Sequence, residues 1–357
     1  MSTPSIIVAG SGSLARNLCW SLAAGTDVPM TVRVLARNKD KAAEVAGIAA
    51  IRARLSGSAA RFEVSTEDTE DVSGIDAEVA RTRPRLLVNC ASYQSPWERM
   101  TAPSAWSELV RRGGFGLTLP LQASLAVELA GAVARRSPDT LVVNACFPDV
   151  VNQVVAALGL PVFCGIGNVM SLAAALAPTV SQERPLRVLA HHVHLTAPSN
   201  PADEALAWLG DRPITDVGAR LAAFRTFDRK ELNAVTGHAA ASLVTGLLSG
   251  EYLRISVPGP FGLPGGYPVA ITSGGRLTLD LPTGITEADA VRRNRLDGLR
   301  DGVVLDGTDV VFSPAVREAL EPLAPEIAAG FPVTELDSAR DRLLLLRERL
   351  RAPGAST

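Results

Sequence analysis

Short apolar segments alternate with helical patterns over the first half of the chain. The apolar runs occupy 5–9, 31–36, 86–90, 140–144 and 161–164, and helical periodicity occupies 13–24, 39–55, 121–136 and 150–158. Continuously apolar strands that alternate with helices are typical of a parallel sheet covered on both faces. The pattern therefore predicts a doubly wound α/β fold of the Rossmann type for this half.

The pattern changes after about residue 183. It predicts a histidine-rich strand, a long helix, a strand, a late hairpin and two polar amphipathic helices, at 186–196, 230–248, 252–258, 269–281, 286–300 and 338–351. Mixed elements of this kind indicate an α+β domain. We predict a dinucleotide-binding domain at 1–165, a substrate-binding and dimerisation domain at 166–350, and a disordered tail at 351–357.

Charge and composition argue against two classes of partner. The formal net charge is −2, which gives no basic field for nucleic acid, and no run of Lys or Arg favours an anionic membrane. The segment 150–182 is uncharged, but its amides, glycines and prolines would be costly in lipid. We expect it to form a buried helix, strand and helix.

The four cysteines, at 19, 90, 146 and 164, lack the Cys-x-x-Cys spacing. This favours buried, reduced thiols in a cytoplasmic protein. The first residues run directly into a strand pattern, so we expect no signal peptide.

A glycine pattern marks the junction of the first predicted strand and the first predicted helix. The pattern is G-x-G-x-x-A, in Gly10-Ser11-Gly12-Ser13-Leu14-Ala15. The first glycine permits a tight turn, the second lets a pyrophosphate approach the backbone, and the small third residue allows close packing of helix on strand. The pattern predicts a dinucleotide site, and the alternative is a tight turn without a nucleotide.

The end of the second predicted strand bears on which dinucleotide binds. NAD-binding sites usually have an acidic residue there for the ribose hydroxyls. This chain has Arg37, Asn38 and Lys39 and no acid before Asp40. The basic pair would suit a 2′-phosphate, which favours NADP(H) over NAD(H), although Arg37 could also be an ordinary solvated residue.

Scarce residue types narrow the choice of proton donor. The chain has three tyrosines and three lysines, Lys39, Lys41 and Lys230, and their positions form neither a Tyr-x-x-x-Lys pair nor a P-loop. Histidine is therefore the best candidate for the proton donor, and it suits that role because its ordinary pKa lies near working pH. In a strand at 186–196, His192 and His194 would share one face. The alternatives are structural histidines or a metal site with a ligand such as Cys164.

The order of these motifs resembles the lactate/malate dehydrogenase superfamily over nearly the whole chain. The glycine turn at 10–12, the strand at 141–144 followed by Pro148-Asp149, the histidine strand, and the hairpin that begins at 265–271 are each similar to a family element. Opine-forming dehydrogenases are a more distant comparison. The resemblance implies an NAD(P)-dependent oxidoreductase with a catalytic histidine. By spacing from Asn144, His194 is the better match and His192 the second choice.

Two family residues are replaced in this chain. Asn168 stands where the resemblance expects an Asp that orients the histidine, and Ser171 where it expects an Arg that binds the substrate carboxylate. An amide can orient an imidazole but cannot stabilise its charge, and serine cannot make a two-pronged carboxylate contact. Arg99 is a candidate to replace that arginine, or else a surface residue.

Three further residues complete the expected site. Asn144 ends a predicted parallel strand and Ala91 follows another, at the sheet edge where ligands collect, so we expect both beside the cofactor. His238 lies in a predicted helix whose family counterpart lines the substrate pocket, and it is expected either to contact substrate or to pack.

The sequence thus favours an NADP(H)-dependent dehydrogenase or reductase that acts on a C=O or C=N group of a small polar metabolite. We expect a homo-oligomer, such as a homodimer, without bound metal. Two other functions stay open. One is a metal- and NAD-dependent glycosidase of the same superfamily, and the other is a non-catalytic nucleotide-binding protein that has kept the fold.

Overall fold

A parallel sheet of six strands forms the centre of the first half. The computed structural model describes residues 3–67, 69, 71–181 and 183–354. The strands are β1 (Ser5–Ala9), β2 (Met30–Leu35), β3 (Ala60–Val64), β4 (Leu86–Asn89), β5 (Leu141–Asn144) and β6 (Cys164–Gly165). Their order, β3-β2-β1-β4-β5-β6, reverses between β1 and β4, as in a doubly wound fold. Every residue of β4 is buried, which explains its continuous apolar sequence.

Helices cover both faces of this sheet. The helices of this half of the chain are α1 (Ser13–Ala23), α2 (Lys39–Ser56), α3 (Val72–Thr82), α4 (Glu98–Thr101), α5 (Ala105–Gly113), α6 (Leu119–Arg136), α7 (Val150–Ala157) and α8 (Asn168–Leu176). The predicted α/β fold of this half is confirmed. The uncharged segment predicted as helix, strand and helix forms α7, β6 and α8, so that prediction is also confirmed.

Small antiparallel sheets and long helices follow, as the predicted α+β class requires. The strands are β7 (Leu186–Leu189), β8 (Leu206–Leu209), β9 (Arg212–Pro213), β10 (Leu253–Pro258), β11 (Gly266–Ile271) and β12 (Leu277–Leu279), and the helices are α9 (Val217–Leu221), α10 (Arg229–Ser249) and α11 (Glu287–Asp301). The predicted long helix and late hairpin are present.

The predicted histidine strand is shorter than expected. β7 ends at Leu189, and His192–Leu195 form a 3-10 turn. The ring of His194 causes this change, because its Nδ1 accepts a hydrogen bond from the backbone N–H of His191 at 2.8 Å. A side chain that binds its own backbone competes with strand pairing. The two-residue periodicity that placed His192 and His194 on one face was therefore wrong.

The end of the chain packs against the first half. It forms β13 (Val303–Asp306), β14 (Asp309–Phe312), β15 (Phe331–Pro332), α12 (Pro314–Leu320), α13 (Pro325–Ala328) and α14 (Leu336–Arg351). Its apolar side chains share one buried cluster with those of α5 and α6, around the fully buried Trp106. The predicted domain limits stay a prediction. Of the predicted tail, residues 355–357 lie outside the described residues.

Within the described residues, one helical stretch, Phe115–Arg136, is long and apolar enough to cross a membrane by length and composition alone. Most of its apolar window is buried inside the protein. A helix that is apolar all round is also typical of a folded core, which is where α6 lies.

Helix α10 lies unusually close to α1. A Cβ atom at Gly237 would come within 2.5 Å of the Cβ of Asn17, so only glycine fits between the two helices. Four residues earlier in α10, Asn233 donates from Nδ2 to Oγ of Ser13 at 2.8 Å. The second half thus holds the start of α1 in place.

Candidate active site

A cleft of about 1160 Å³ opens at the carboxyl ends of the central strands. Its walls include Gly10 after β1, Arg37 after β2, Ala91 after β4, and Ala145 after β5. Ligands of open α/β sheets bind at this edge, near the point where the strand order reverses. The second half closes the cleft with the 3-10 turn His192–Leu195, the histidine turn, and with the start of α10.

The glycine turn forms one wall of the cleft. Gly10 has φ +117°, and a Cβ there would lie 2.9 Å from the carbonyl oxygen of Cys90. Gly12 precedes α1, no side chain caps that helix, and a Cβ at Gly12 would meet nothing within 4 Å. Open backbone N–H groups at a helix N-terminus suit a phosphate group. The turn therefore fits a dinucleotide.

The predicted residues of the turn fall into two groups. Ser11, Ser13 and Leu14 line the cleft with the two glycines. Ala15 is buried beneath them in the core, where a small residue allows close packing.

The basic residues after β2 are only partly placed as predicted. Arg37 and Asn38 line the cleft, and Asn38 also accepts the backbone N–H of Lys41 to cap α2. Lys39 does not line it, because its Nζ donates to the carbonyl oxygens of Thr66, at 2.9 Å, and Glu67. Lys41 lines the cleft instead.

Asn144 lies outside the cleft lining, contrary to expectation. Its Nδ2 donates to Oδ1 of Asn152 at 2.8 Å, and its Oδ1 accepts from Nδ2 of Asn89 at 3.0 Å. Both amide atoms are thus used inside the protein, in a row of three buried amides. Ala91 lines the cleft as predicted.

His192 is the histidine that faces the cleft. Its Nδ1 lies 2.9 Å from Oδ1 of Asp301, the last residue of α11. Its ring packs against Phe147 with 4.8 Å between centroids, and Phe147 stacks on Phe115 at 4.5 Å. With Nδ1 held by the carboxylate, Nε2 is the nitrogen left for a reacting group.

The charges around His192 favour its protonated form. Burial lowers the pKa of His192, but the negative charge of Asp301 and its hydrogen bond raise it, and the net pKa lies above the ordinary range. Burial likewise raises the pKa of Asp301, while His192 lowers it more, so that the carboxyl pKa lies below its usual range.

His194, the first choice from sequence, has both ring nitrogens bound to the backbone. Nδ1 accepts from the N–H of His191, and Nε2 lies 2.9 Å from the carbonyl oxygen of Asp203, to which it can only donate. Its side chain is 2% exposed, and burial lowers its pKa. His194 is therefore held as a neutral, buried histidine, and neither ring nitrogen of this predicted proton donor faces the cleft.

The residue that orients the catalytic candidate also differs from the expectation. Asn168 lines the cleft, but the hydrogen bond to His192 comes from Asp301. Ser171 is buried, with its Oγ 2.7 Å from Oγ1 of Thr236. No sequence motif marks Asp301, because it lies 109 positions from His192 along the chain.

Arg229, the first residue of α10, is a cationic residue that the sequence analysis missed. It lines the cleft, and its Nη2 donates to the carbonyl oxygen of Leu195 in the histidine turn. Its Nη1 is buried and has no hydrogen-bond partner among the described residues. Burial and the nearby Arg225 lower the pKa of Arg229. An unpaired guanidinium nitrogen of this kind suits an anionic ligand.

Two predicted substrate residues lie elsewhere. Arg99, on α4, is exposed and outside the cleft lining. His238 is exposed in the middle of α10, because the helix begins nine residues before it. Neither contacts the cleft in this structure.

The alternative from sequence was a metal site formed by the histidines and Cys164. The described parts of the chain contain no group of three or more His, Cys, Asp and Glu residues arranged to hold an ion. Cys164, the ligand considered from sequence, is fully buried in β6, and burial raises the pKa of its thiol.

Comparisons with known proteins support the fold assignment. No family model and no curated protein matches the chain. Among solved structures it is similar to malate dehydrogenase from Picrophilus torridus in its apo form, with a TM-score of 0.56 and 14% identity over 84% of this chain and 96% of that one. It is also similar to the minor L-lactate dehydrogenase from Enterococcus mundtii, with a TM-score of 0.53 and 14% identity over 83% of this chain and 96% of that one. A third similar structure is malate dehydrogenase from Archaeoglobus fulgidus in complex with NADH, with a TM-score of 0.51 and 14% identity over 89% of this chain and 99% of that one.

The chain has the fold of these dehydrogenases. The resemblance predicted from the order of motifs is therefore confirmed for the fold. At this level of identity the likeness carries neither a substrate nor a cofactor.

Proposed function

We propose that the protein is an NADP(H)-dependent oxidoreductase that reduces a C=O or C=N group of a small, anionic metabolite. One observation carries this proposal: the glycine turn and the His192–Asp301 pair face the same cleft. A hydride transfer to such a group also needs a proton donor at its heteroatom. The similarity in fold to known dehydrogenases supports the same conclusion.

The cofactor would lie along the wall formed by the glycine turn. The pyrophosphate would bind at Gly12 and the first N–H groups of α1, and Ala91 would border the cofactor farther along the cleft. The bound nicotinamide supplies or accepts the hydride. Asn233 keeps the turn in position through its bond to Ser13.

The preference for NADP(H) rests on the end of β2. Arg37, after β2, and Lys41, in the first turn of α2, both line the cleft and would bind a 2′-phosphate. The A. fulgidus malate dehydrogenase has NADH bound in its structure, which makes NADH the cofactor to compare.

His192 would act as the general acid and base. In the reducing direction the imidazolium donates its Nε2 proton to the substrate heteroatom and becomes neutral, while Asp301 holds Nδ1–H and fixes the tautomer. In the oxidising direction the neutral ring accepts that proton. Phe147 supports the ring from one side and limits its rotation.

Arg229 would bind the anionic part of the substrate. Its buried Nη1 needs a partner, and its guanidinium is attached to the same turn that carries His192. A carboxylate bound there would place the neighbouring C=O or C=N group within reach of the imidazole. Arg229 would thus take the role that the resemblance assigned to the position of Ser171.

The test is oxidation of NADPH, and of NADH, by a panel of 2-oxo acids with and without added amines. We expect turnover with at least one pair, and a loss of about 100- to 10,000-fold in kcat for His192→Gln with unchanged NADPH binding. His238→Gln is the matched control and should keep full activity, since that histidine is exposed outside the cleft.

Three outcomes would contradict the proposal. Full activity of His192→Gln would exclude His192 as the proton donor. Tight cofactor binding without oxidation by any substrate would favour the non-catalytic alternative. Activity on glycosides that is lost with a chelator would favour the metal-dependent one.

A further inference from the structure

Two buried carboxylates flank the ring of His191. Its Nε2 lies 3.8 Å from Oδ2 of Asp149, and its Nδ1 lies 4.0 Å from Oδ2 of Asp301. All three side chains are almost completely inaccessible to solvent. The two acids come from distant parts of the chain, the segment before α7 and the end of α11, and the histidine turn brings them together.

The Asp301 carboxylate faces two histidines at once. Oδ1 contacts Nδ1 of His192 at 2.9 Å, while Oδ2 is turned toward Nδ1 of His191. Within the described residues, that Oδ2 and that Nδ1 are buried without a hydrogen-bond partner. At 4.0 Å the two atoms lie beyond hydrogen-bond distance but within the range of an ion pair.

Asp149 connects the same two histidines by a second route. Its Oδ2 accepts the backbone N–H of His192 at 3.2 Å and also faces the ring of His191. The His191 ring therefore faces the two carboxylates that bind the side chain and the backbone of His192.

We propose that His191 is a positioning residue that shares the Asp301 carboxylate with His192, so that a proton on either ring weakens the binding of a proton to the other. This inference rests on the proposed function, since it assigns His191 a part in setting the proton affinity of the general acid. His191 does not line the cleft, so it acts through Asp301 and not on the substrate.

Other charged groups surround the turn and remain in every variant proposed below. They are Asp203, Glu204, Arg225 and Arg229 on the side of His194 and the cleft, and Arg293, Asp297 and Arg300 on α11. His194 itself is neutral, with both ring nitrogens bound to the backbone.

The experiment is an NMR titration of histidine-labelled full-length protein, which needs no substrate. The chain has four histidines, so four sets of ring signals can be assigned by substitution. In His191→Gln the midpoint of the His192 titration should rise by about one pH unit, because the Asp301 carboxylate then faces a single imidazole. In Asp149→Asn the midpoint should fall, because a negative charge is removed.

His194→Gln is the matched control. It removes a second buried histidine from the same turn without removing a charge, so it should reduce stability and leave the His192 midpoint unchanged. An unchanged His192 midpoint in His191→Gln, or an equal shift in His194→Gln, would overturn the proposal.

The parent protein provides a second measurement if the variants do not fold. Two groups that share a carboxylate titrate together, so each histidine should show an inflection at the midpoint of the other. Independent single-step curves for His191 and His192 would refute the coupling. Because neither readout needs turnover, a missing oxidoreductase activity and a missing coupling would be separate results.

Discussion

The glycine turn and the histidine turn both line one cleft, and they are built in different ways. The glycine turn uses backbone geometry: Gly10 adopts φ +117°, and Gly12 leaves the N-terminus of α1 open. The histidine turn uses side chains from distant segments, since His192 is held by Asp301 from α11 and Arg229 arrives from α10. A backbone site is local in sequence, whereas a side-chain site exists only after the chain has folded.

The largest expected effect comes from the histidine turn. Asp301→Asn removes the charge that stabilises the imidazolium and allows the wrong tautomer, so we expect kcat to fall by about 100- to 10,000-fold. NADPH affinity, measured by isothermal titration calorimetry, should stay unchanged.

Asp306→Asn serves as the control for this change, because Asp306 pairs with Arg295 on the surface. A loss of cofactor binding equal to the loss of kcat in Asp301→Asn would mean that the two walls are not separable.

Substitution of the two glycines by alanine tests the other wall. Gly10→Ala places a Cβ 2.9 Å from a carbonyl oxygen at positive φ, so urea unfolding should show a loss of about 2–4 kcal/mol. Gly12→Ala meets no atom within 4 Å and should change stability by less than about 0.5 kcal/mol.

The same Gly12→Ala variant should weaken NADPH binding about tenfold, since the added methyl would lie where the pyrophosphate approaches. Equal affinity in the parent and in Gly12→Ala would contradict the assignment of the turn to the cofactor.

The contact between the two halves is tested at Gly237. An alanine there would come within 2.5 Å of Asn17, so we expect Gly237→Ala to lower the free energy of unfolding by about 1–3 kcal/mol. Ser242→Ala, at an exposed position of α10, is the control and should be nearly neutral. Unaltered stability of Gly237→Ala would show that the helices can separate without cost.

Cofactor choice should depend on the end of β2. The double change Arg37→Ala and Lys41→Ala should weaken NADPH binding about tenfold or more and leave NADH binding nearly unchanged. Comparison of the two dissociation constants measures this difference. A parallel loss for both cofactors would indicate a general effect on the groove and not recognition of a 2′-phosphate.

The smallest expected effect is on the pH dependence of stability. The pKa of His192 is raised in the folded protein, so His192 stabilises the fold at pH values below its pKa in the unfolded chain. This stabilisation is lost as the pH rises through the folded pKa. The pKa of Asp301 is lowered in the folded protein, so Asp301 stabilises the fold at pH values above its pKa in the unfolded chain. This stabilisation is lost as the pH falls through the folded pKa. Both contributions are present between about pH 4 and pH 6.5. The stability difference between the parent and Asp301→Asn should therefore shrink between pH 6 and pH 9 in urea unfolding.

The sequence predicted the glycine turn better than the histidine turn. Strands such as β4 are buried on both faces, so their apolar runs indicate a parallel sheet directly. The place of the glycine turn between β1 and α1 follows from the same pattern.

The histidine turn could not be predicted in this way. The sequence of 186–196 is compatible with a strand, but β7 ends early, where the His194 ring accepts the backbone N–H of His191. Asp301 and Arg229 lie in ordinary amphipathic helices, with no local signal of a role in the cleft. Long-range packing decides which helix ends meet, and a single sequence does not show it.

The packing of the C-terminal segment against α5 and α6 has a consequence for synthesis of the chain. The cluster around Trp106 is completed by residues of β13–β15 and α12–α14, and Arg347 and Arg351 of α14 also line the cleft. A nascent chain that has released only the first half therefore exposes an apolar surface that the last helix will cover. This part of the cleft reaches its final form only when α12–α14 have been synthesised, and until then chaperones have a surface to bind.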